Sequence, residues 1–127
     1  EKNRILRSAH SSRKEGVNKM SFNGTADELQ EIVDNNPIVL FMKGTPEQPR
    51  CGFSNRAAMV LGQLEDKWAS VDVTSDPRAI PSICTWSDFP TMPQIFINGE
   101  LIGGSDIAME MYESGELQQM ISDGKSE

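Results

Sequence analysis

The sequence predicts an α/β fold with a central four-stranded mixed sheet and helices on both faces. Apolar runs typical of strands alternate with stretches of helical periodicity, and this alternation is typical of α/β folds. The run 38–42 is continuously apolar, which is the pattern of a strand covered on both faces. Asn98 and Gly99 separate two further apolar segments and form a dipeptide preferred in tight hairpins. The hairpin makes the predicted sheet mixed rather than purely parallel.

The first half of the predicted domain alternates helix and strand twice. Thr25 and Glu28 have the spacing of a capping box, which marks the beginning of a helix. A loop rich in glycine and proline follows the buried strand, and apolar residues then recur on one helical face. The predicted elements are a helix that begins at 25 and ends at 35–37, a strand at 38–42, a loop at 43–49, a helix at 52–66 and a strand at 68–73.

The second half is predicted to contain a weak helix, the hairpin and a closing helical region. Asp76 and Pro77 begin the weak helical stretch, and the two prolines at 90–93 interrupt the chain. The closing region begins at Ser105 and Asp106. The remaining elements are strands at 94–97 and 100–102 and helical spacing of apolar residues from 107 to 121, with a break at 114–115.

Length, composition and charge exclude several classes of protein. The chain has 127 residues, of which 37% are hydrophobic and 24% charged, a composition typical of one globular domain. No apolar run approaches the roughly 20 residues of a membrane-spanning helix. A formal charge of −7 provides no bulk attraction for nucleic acid or an anionic membrane, so neither partner is expected. Two cysteines are too few for a disulfide-framed secreted scaffold and favour a reducing compartment.

The charge is unevenly distributed along the chain. Residues 1–20 hold six basic and two acidic residues, for a net charge of +4, whereas the remainder carries −11. Residues 1–22 are therefore predicted as a disordered basic leader, followed by one domain over 23–122 and a flexible tail over 123–127. A basic, serine-containing, acid-poor leader is typical of an organelle transit peptide, which predicts a mitochondrial location. An ordinary disordered tail on a cytoplasmic protein stays open as the alternative.

Cys51 is the strongest candidate for chemistry. It lies at the junction of the loop and the second predicted helix, where backbone N–H groups and the helix dipole favour an anion. Its thiol pKa is therefore predicted to fall, and Lys43 and Arg50 add positive charge nearby. An inert buried cysteine is the alternative, but Pro49 and Gly52 are poor neighbours for a core position. The local pattern thus favours a functional thiol.

The residues after Cys51 limit the chemistry of that thiol. A dithiol oxidoreductase needs a second cysteine three positions later to resolve a mixed disulfide, and this position is Ser54. Any redox cycle at Cys51 then needs an outside thiol such as glutathione. Alternatively, the thiolate holds a metal rather than turning over.

Three motifs in the chain are similar to those of the monothiol (CGFS-type) glutaredoxins. They occur in the family's order and at similar spacing, and the resemblance covers about residues 25–122. It implies a thioredoxin fold and a cis peptide bond before Pro93. The motifs are Lys43-Gly44-Thr45-Pro46 with Pro49-Arg50-Cys51-Gly52-Phe53-Ser54, then Phe89-Pro90-Thr91-Met92-Pro93-Gln94, and then Gly103-Gly104-Ser105-Asp106.

The resemblance also implies which residues bind glutathione. Cys51 meets the glutathione sulfur, as the catalytic or cluster-ligating thiolate. Lys43 offers its ammonium to a carboxylate of the tripeptide, and the backbone of Met92 pairs with the peptide backbone. Backbone N–H groups and the Asp106 carboxylate meet the γ-glutamyl end. The implied site comprises Lys43, Cys51, Phe53, Met92, Pro93, Gly104, Ser105 and Asp106.

The chain departs from the family pattern around residues 76–88. The family's glutathione-binding arginine aligns with Ile80, and Arg78 could replace it after a small backbone shift. Phe89-Pro90 stands where the family usually has Trp-Pro. These departures would allow a different ligand preference, for instance for a modified glutathione.

The remaining cysteine, Cys84, lies in the same divergent segment. A half-buried packing role is favoured for it, and a resolving or regulatory thiol stays open as the alternative. A cysteine is common in the family where Ser105 stands, so this chain has no partner for Cys51 at that position.

Two functions of different classes follow from the resemblance. In the first, two chains and two glutathiones supply four thiolates to one [2Fe–2S] cluster, which is passed to apo iron–sulfur proteins. A homodimer when the cluster is bound and BolA-type partners are implied as well. In the second, the chain is a glutathione-dependent thiol–disulfide oxidoreductase that removes glutathione by a monothiol mechanism. The resemblance implies that this enzymatic activity is weak at most, so enzyme status stays open.

Overall fold

The computed structural model describes residues 17–20 and 26–125 of the chain. Strands and helices alternate along most of this part, as the sequence predicts, and the chain closes with two consecutive helices. The elements are β1 Val17–Met20, α1 Ala26–Asn35, β2 Ile38–Met42, α2 Gly52–Gly62, β3 Trp68–Asp72, α3 Ala79–Ser87, β4 Gln94–Ile97, β5 Glu100–Gly103, α4 Ser105–Ser114 and α5 Glu116–Lys125.

The sheet is mixed, and its strand order is β1-β3-β2-β4-β5. β1 and β2 run parallel to β3, β4 runs antiparallel to β2, and β5 returns antiparallel to β4. The four strands that the sequence predicts are thus present with helices on both faces, which confirms the thioredoxin fold. No helix in residues 26–125 combines the length and apolar character that crossing a membrane requires.

The structure adds a fifth strand to the four predicted ones. Val17–Met20 pairs with residues 68–71 as an edge strand, although it falls in the segment predicted as a disordered leader. The sequence does not reveal this strand because it is short, lacks a continuous apolar run and pairs with residues about fifty positions away. At the other end, residues 123–125 form the last turn of α5 rather than part of a flexible tail. The rest of the predicted leader, and Thr25 of the capping box, lie outside the described residues.

Two apolar clusters, one on each face of the sheet, form the core. β2 supplies both, because successive side chains of a strand point to opposite faces. Val39 and Phe41 belong to the cluster covered by α1 and α3, whereas Leu40 and Met42 belong to the one covered by α2, α4 and α5. Every β2 residue is buried, which confirms the prediction of a strand covered on both faces. Burying one such side chain stabilises the fold by roughly 1.5–3 kcal/mol.

Local turn chemistry places the breaks between elements. Asn98 and Gly99 have φ values of 52° and 82°, as a two-residue hairpin requires. Gly115, with φ of 88°, separates α4 from α5 where the sequence predicts a break. α2 ends at Gly62 instead of extending to residue 66, because tighter hydrogen bonds close its last turn. Leu64 still packs against the core after the helix has ended, so apolar periodicity overestimates the length of the helix.

Candidate functional site

Strand register brings three distant segments to one edge of the sheet. The chain leaves β2 at this edge, and β4 begins there because Gln94 pairs with Phe41. β5 ends at the same edge because its last residue, Gly103, pairs with Ile95. The loop before α2, the segment before β4 and the beginning of α4 are therefore neighbours. A Cβ atom placed on Gly104 would lie 3.3 Å from the carbonyl oxygen of Pro93, so the last two segments touch.

The loop between β2 and α2 is a compact turn that returns the chain to the helix. The Arg50 N–H donates to the Lys43 carbonyl at 2.8 Å. Gly44 has a φ of 94°, and a Cβ there would collide with the backbone of Gln48 and Arg50. The Gly44 N–H donates to an oxygen of Asp72 at the end of β3, at 3.0 Å. The loop is therefore attached to the neighbouring strand as well as to itself.

Asp72 carries a hydrogen-bonded carboxylate beneath this loop. Although burial opposes the charged form, hydrogen bonds from Thr74 and Gly44 and the charge of Arg50 hold the pKa of Asp72 below its ordinary value. The sequence predicts Arg50 as a positive charge beside the Cys51 thiol, but Arg50 is not among the groups that shift the pKa of Cys51. Its charge instead acts on Asp72.

Cys51 is the N-cap of α2 and is half-buried. The backbone N–H of Ser54 contributes most to lowering the Cys51 pKa below its ordinary value, although the sulfur does not form a capping hydrogen bond. Burial works in the opposite direction, while the Phe53 N–H, the Ser54 hydroxyl and the Lys43 charge add to the lowering. The predicted fall in the thiol pKa at a helix N-terminus is confirmed, and it favours a nucleophilic or metal-binding thiolate.

Ser54 has a role that the sequence analysis does not assign to it. Its side chain is buried, and its Oγ accepts a hydrogen bond from the Lys43 N–H at 3.0 Å. It therefore connects the end of β2 to the first turn of α2, and its hydroxyl also helps to lower the Cys51 pKa. The sequence does contain a signal for this role. Ser54 lies three residues after the thiol that caps the helix, and the backbone N–H at that position faces the cap.

The segment before β4 supplies Met92 and Pro93. The peptide bond between them is cis, as the family resemblance implies. Both residues are buried. Gly104 packs against the Pro93 carbonyl, so the Met92 backbone lies beside the beginning of α4.

The beginning of α4 combines buried and exposed residues. Gly104 is the N-cap, Ser105 is buried and Asp106 is exposed in the first turn. The first N–H groups of a helix have no intrahelical acceptor, which suits them to binding an anionic group. An exposed ion pair of 3.4 Å between Asp106 and Arg56 connects this turn to α2. The Arg56 guanidinium also lies 5.9 Å from the ring centroid of Phe53, which is 55% exposed.

Arg78, the alternative to the family's arginine, is held by a neighbouring carboxylate. Its Nε and Nη2 atoms donate to Asp76 at 3.1 and 2.7 Å. Hydrogen bonds from Arg78 lower the pKa of Asp76 to about 2. Ile80, the aligned position, packs against the core beneath α3. Arg78 would have to exchange its carboxylate partner before binding glutathione.

Cys84 lies in α3 and packs against the same core cluster. It is half-buried, and burial raises its thiol pKa. This environment agrees with the packing role that the sequence favours. In the part of the chain that the structure describes, no three His, Cys, Asp or Glu side chains are grouped to hold a metal ion.

Comparisons with known proteins extend over nearly the whole described domain. The glutaredoxin family profile matches residues 38–102. Glutaredoxin 4 of Escherichia coli (strain K12) is 41% identical over 99 residues, which are 78% of this chain and 86% of that protein. A probable monothiol glutaredoxin 2 of Rickettsia prowazekii (strain Madrid E) is 41% identical over 104 residues, 82% of this chain and 97% of that protein. The crystal structure of a buckwheat glutaredoxin–glutathione complex matches with a TM-score of 0.68 and 26% identity, covering 79% of this chain and 89% of that one.

Proposed function

The chain belongs to the glutaredoxin family, in its monothiol branch, and from this premise we propose that it binds glutathione at Cys51 and carries a [2Fe–2S] cluster to acceptor proteins. The observation that carries the proposal is the single Cys51 thiol of lowered pKa, with Ser54 where a resolving cysteine would stand. Such a thiolate can ligate a metal but cannot close an internal disulfide within its own motif.

Glutathione would occupy the edge of the sheet where the three segments meet. Its sulfur would lie beside Cys51, and the ammonium of Lys43 would pair with a carboxylate of the tripeptide. The Met92 backbone would hydrogen-bond the peptide, and the beginning of α4 would receive the γ-glutamyl end at Ser105 and Asp106. The neighbouring positions of these segments support the proposal, as does the buckwheat relative in complex with glutathione.

The donor set determines how the cluster would be held. A [2Fe–2S] cluster takes four thiolates, whereas the described part of one chain offers one thiol of lowered pKa, Cys51. Two chains and two glutathiones would together supply the four. Because half of these ligands are small exchangeable molecules, the cluster would be released readily to an acceptor. We propose a homodimer in the cluster-bound form, with apo iron–sulfur proteins and BolA-type proteins as partners.

A second candidate function is glutathione-dependent thiol–disulfide exchange, and the lowered pKa of Cys51 favours it as well. The Cys51 thiolate would attack the glutathione sulfur of a mixed disulfide and release the substrate as a thiolate. A second glutathione thiolate would then attack the Cys51–glutathione disulfide, so that oxidised glutathione leaves and Cys51 returns to its thiolate form. Turnover of a glutathionylated peptide that is lost in Cys51→Ser would support this function.

Anaerobic reconstitution with iron, sulfide and glutathione tests the first function. We expect a coloured species at dimer mass on a sizing column, which requires glutathione and contains two irons and two sulfides per dimer. Cys51→Ser should abolish it, while the matched variant Cys84→Ser should retain it. A colourless monomer from the native chain, or equal retention by both variants, would contradict cluster binding.

The cellular location is a separate proposal that rests on the basic residues 1–22. We propose that this segment directs the chain to mitochondria. Cell fractionation of the chain with and without residues 1–16, a deletion that keeps β1, tests this. Recovery of both forms in the cytosol would favour the cytoplasmic alternative.

A further inference from the structure

Gln94 is a buried polar side chain that directly follows the cis Met92–Pro93 bond and occupies the first position of β4. The side chain is fully buried. Its Nε2 atom donates to the carbonyls of Phe89 and Thr91, each at 3.1 Å, and lies 3.9 Å from the Cys84 sulfur. Since carbonyl oxygens only accept hydrogen bonds, these two contacts determine which end of the amide faces the segment.

The opposite end of the same amide is not satisfied. The Gln94 Oε1 atom is buried and has no hydrogen-bond partner among the residues that the structure describes. A buried acceptor without a partner is destabilising, so the oxygen of the amide does not by itself favour glutamine here. The N–H donors therefore distinguish glutamine from an apolar residue at this position.

Both carbonyls belong to a segment that we call the cis-proline loop, residues 89–93. At its beginning, the Phe89 N–H donates to the Cys84 carbonyl at 3.2 Å, which attaches the loop to the end of α3. At its end, Gln94 pairs with Phe41 in the middle of the sheet. The Gln94 amide thus connects the exposed middle of the loop to a strand that pairs with the central strand of the sheet.

We propose that Gln94 is a positioning residue for glutathione, which holds the Met92 backbone at the distance from Cys51 that the tripeptide requires. This inference rests on glutathione binding as proposed above. Backbone hydrogen bonds to a ligand weaken steeply when donor and acceptor move apart. Releasing the Phe89 and Thr91 carbonyls would let the loop move and would weaken recognition of the tripeptide. The Cys51 thiolate itself would not change, because Gln94 does not contribute to its pKa shift.

The test compares two reagents on the full chain with Cys84 left unchanged, because its sulfur lies against the Gln94 amide. Mass spectrometry of the peptide that contains Cys51 follows the reaction of that thiol alone. Oxidised glutathione must use the glutathione site, whereas iodoacetamide only needs the thiolate. In Gln94→Met we expect the rate with oxidised glutathione to fall about tenfold, as for the loss of one hydrogen bond, and the rate with iodoacetamide to stay within about twofold. Equal rates for native and variant chains with both reagents would overturn the proposal.

Two further variants separate positioning from general damage to the core. Ile95→Val, at the next position of β4, removes one buried methylene and should leave the ratio of the two rates unchanged. Gln94→Glu should give a ratio that falls as the pH rises from 5 to 8, because the protonated carboxyl can still donate one hydrogen bond and the carboxylate cannot. Positioning would be contradicted if the ratio of the two rates in Gln94→Glu did not vary with pH. It would also be contradicted if Ile95→Val lowered this ratio as much as Gln94→Met does.

Failure of the proposed function would look different. In that case the native chain would react with oxidised glutathione no faster than with hydroxyethyl disulfide, which lacks the tripeptide. Amide hydrogen exchange at Thr91 and Met92 then decides the role of Gln94 without any ligand. Faster exchange at these two amides in Gln94→Met would support a role in holding the loop, and unchanged exchange would overturn it.

Discussion

Cys51 and Cys84 are the two cysteines of the chain, and their surroundings shift their thiol pKa values in opposite directions. Both are half-buried, so exposure alone does not distinguish them. Cys51 caps α2, where N–H groups stabilise the thiolate, whereas Cys84 lies within α3, where N–H groups are used inside the helix and burial dominates. The comparison teaches that the position along a helix, more than the degree of burial, determines which thiol is reactive.

The largest expected effect is the difference in reactivity between the two thiols. At pH 7 we expect iodoacetamide to modify Cys51 at least about a hundredfold faster than Cys84, because the thiolate is the reacting species. Mass spectrometry of peptides from the native chain measures both rates, and Cys51→Ser and Cys84→Ser assign them. Similar rates for the two cysteines would remove the basis of the comparison.

The second prediction concerns Asp72, whose carboxylate accepts a hydrogen bond from Gly44 in the loop that leads to Cys51. The folded-state pKa of Asp72 lies below its ordinary value, so its contribution to stability is present above about pH 4 and is lost as the pH falls through the folded pKa. Asp72→Asn should therefore destabilise the chain by about 1–2 kcal/mol at pH 7 and by much less at pH 3. Urea unfolding at the two pH values measures this. If the free energies of unfolding of the native and variant chains differed by the same amount at both pH values, the role assigned to the Asp72 charge would be contradicted.

The third prediction tests the hydroxyl that supports Cys51. Ser54→Ala removes the hydroxyl that helps to lower the Cys51 pKa but keeps the backbone N–H that contributes most, so the thiol pKa should rise moderately. Alkylation of Cys51 at pH 7 should slow by about fivefold, and unfolding should require about 1 kcal/mol less because the Lys43 N–H loses its acceptor. Reactivity of Cys84 in the same sample is the internal control. An unchanged pH profile for Cys51 would show that the hydroxyl does not act on the sulfur.

The smallest expected effect is that of the Lys43 charge. Its influence on Cys51 is the last of the contributions that lower the thiol pKa. Lys43→Gln should slow alkylation of Cys51 by about twofold at low ionic strength, and the difference should diminish in 1 M salt, where charges are screened within about 3 Å. Lys67→Gln, on the exposed turn before β3, is a matched control that should show no effect. A decrease of tenfold or more would mean that Lys43 has a larger role than its charge.

Local sequence determined much of this molecule. The continuous apolar run of β2, the hairpin at Asn98 and Gly99, and the break at Gly115 all follow from the preferences of a few adjacent residues. The lowered pKa of Cys51 belongs to the same group, because the N–H groups responsible lie within three positions of the sulfur. Interactions between residues a few positions apart can be predicted from the sequence, because they need no knowledge of how distant segments pack.

Tertiary structure decided the contacts that cross the fold. Local sequence patterns do not reveal four of these contacts. They are the pairing of β1 with β3, the effect of the Arg50 charge on Asp72, the hydrogen bond between Ser54 and the Lys43 backbone, and the hydrogen bonds from Gln94 to the cis-proline loop. Each contact depends on strand register and on the position of a side chain relative to distant segments. The periodicity of apolar residues predicts neither of these. The sequence by itself therefore determined which thiol is activated, and only the packing of the chain determined which buried polar groups hold the surrounding loops in place.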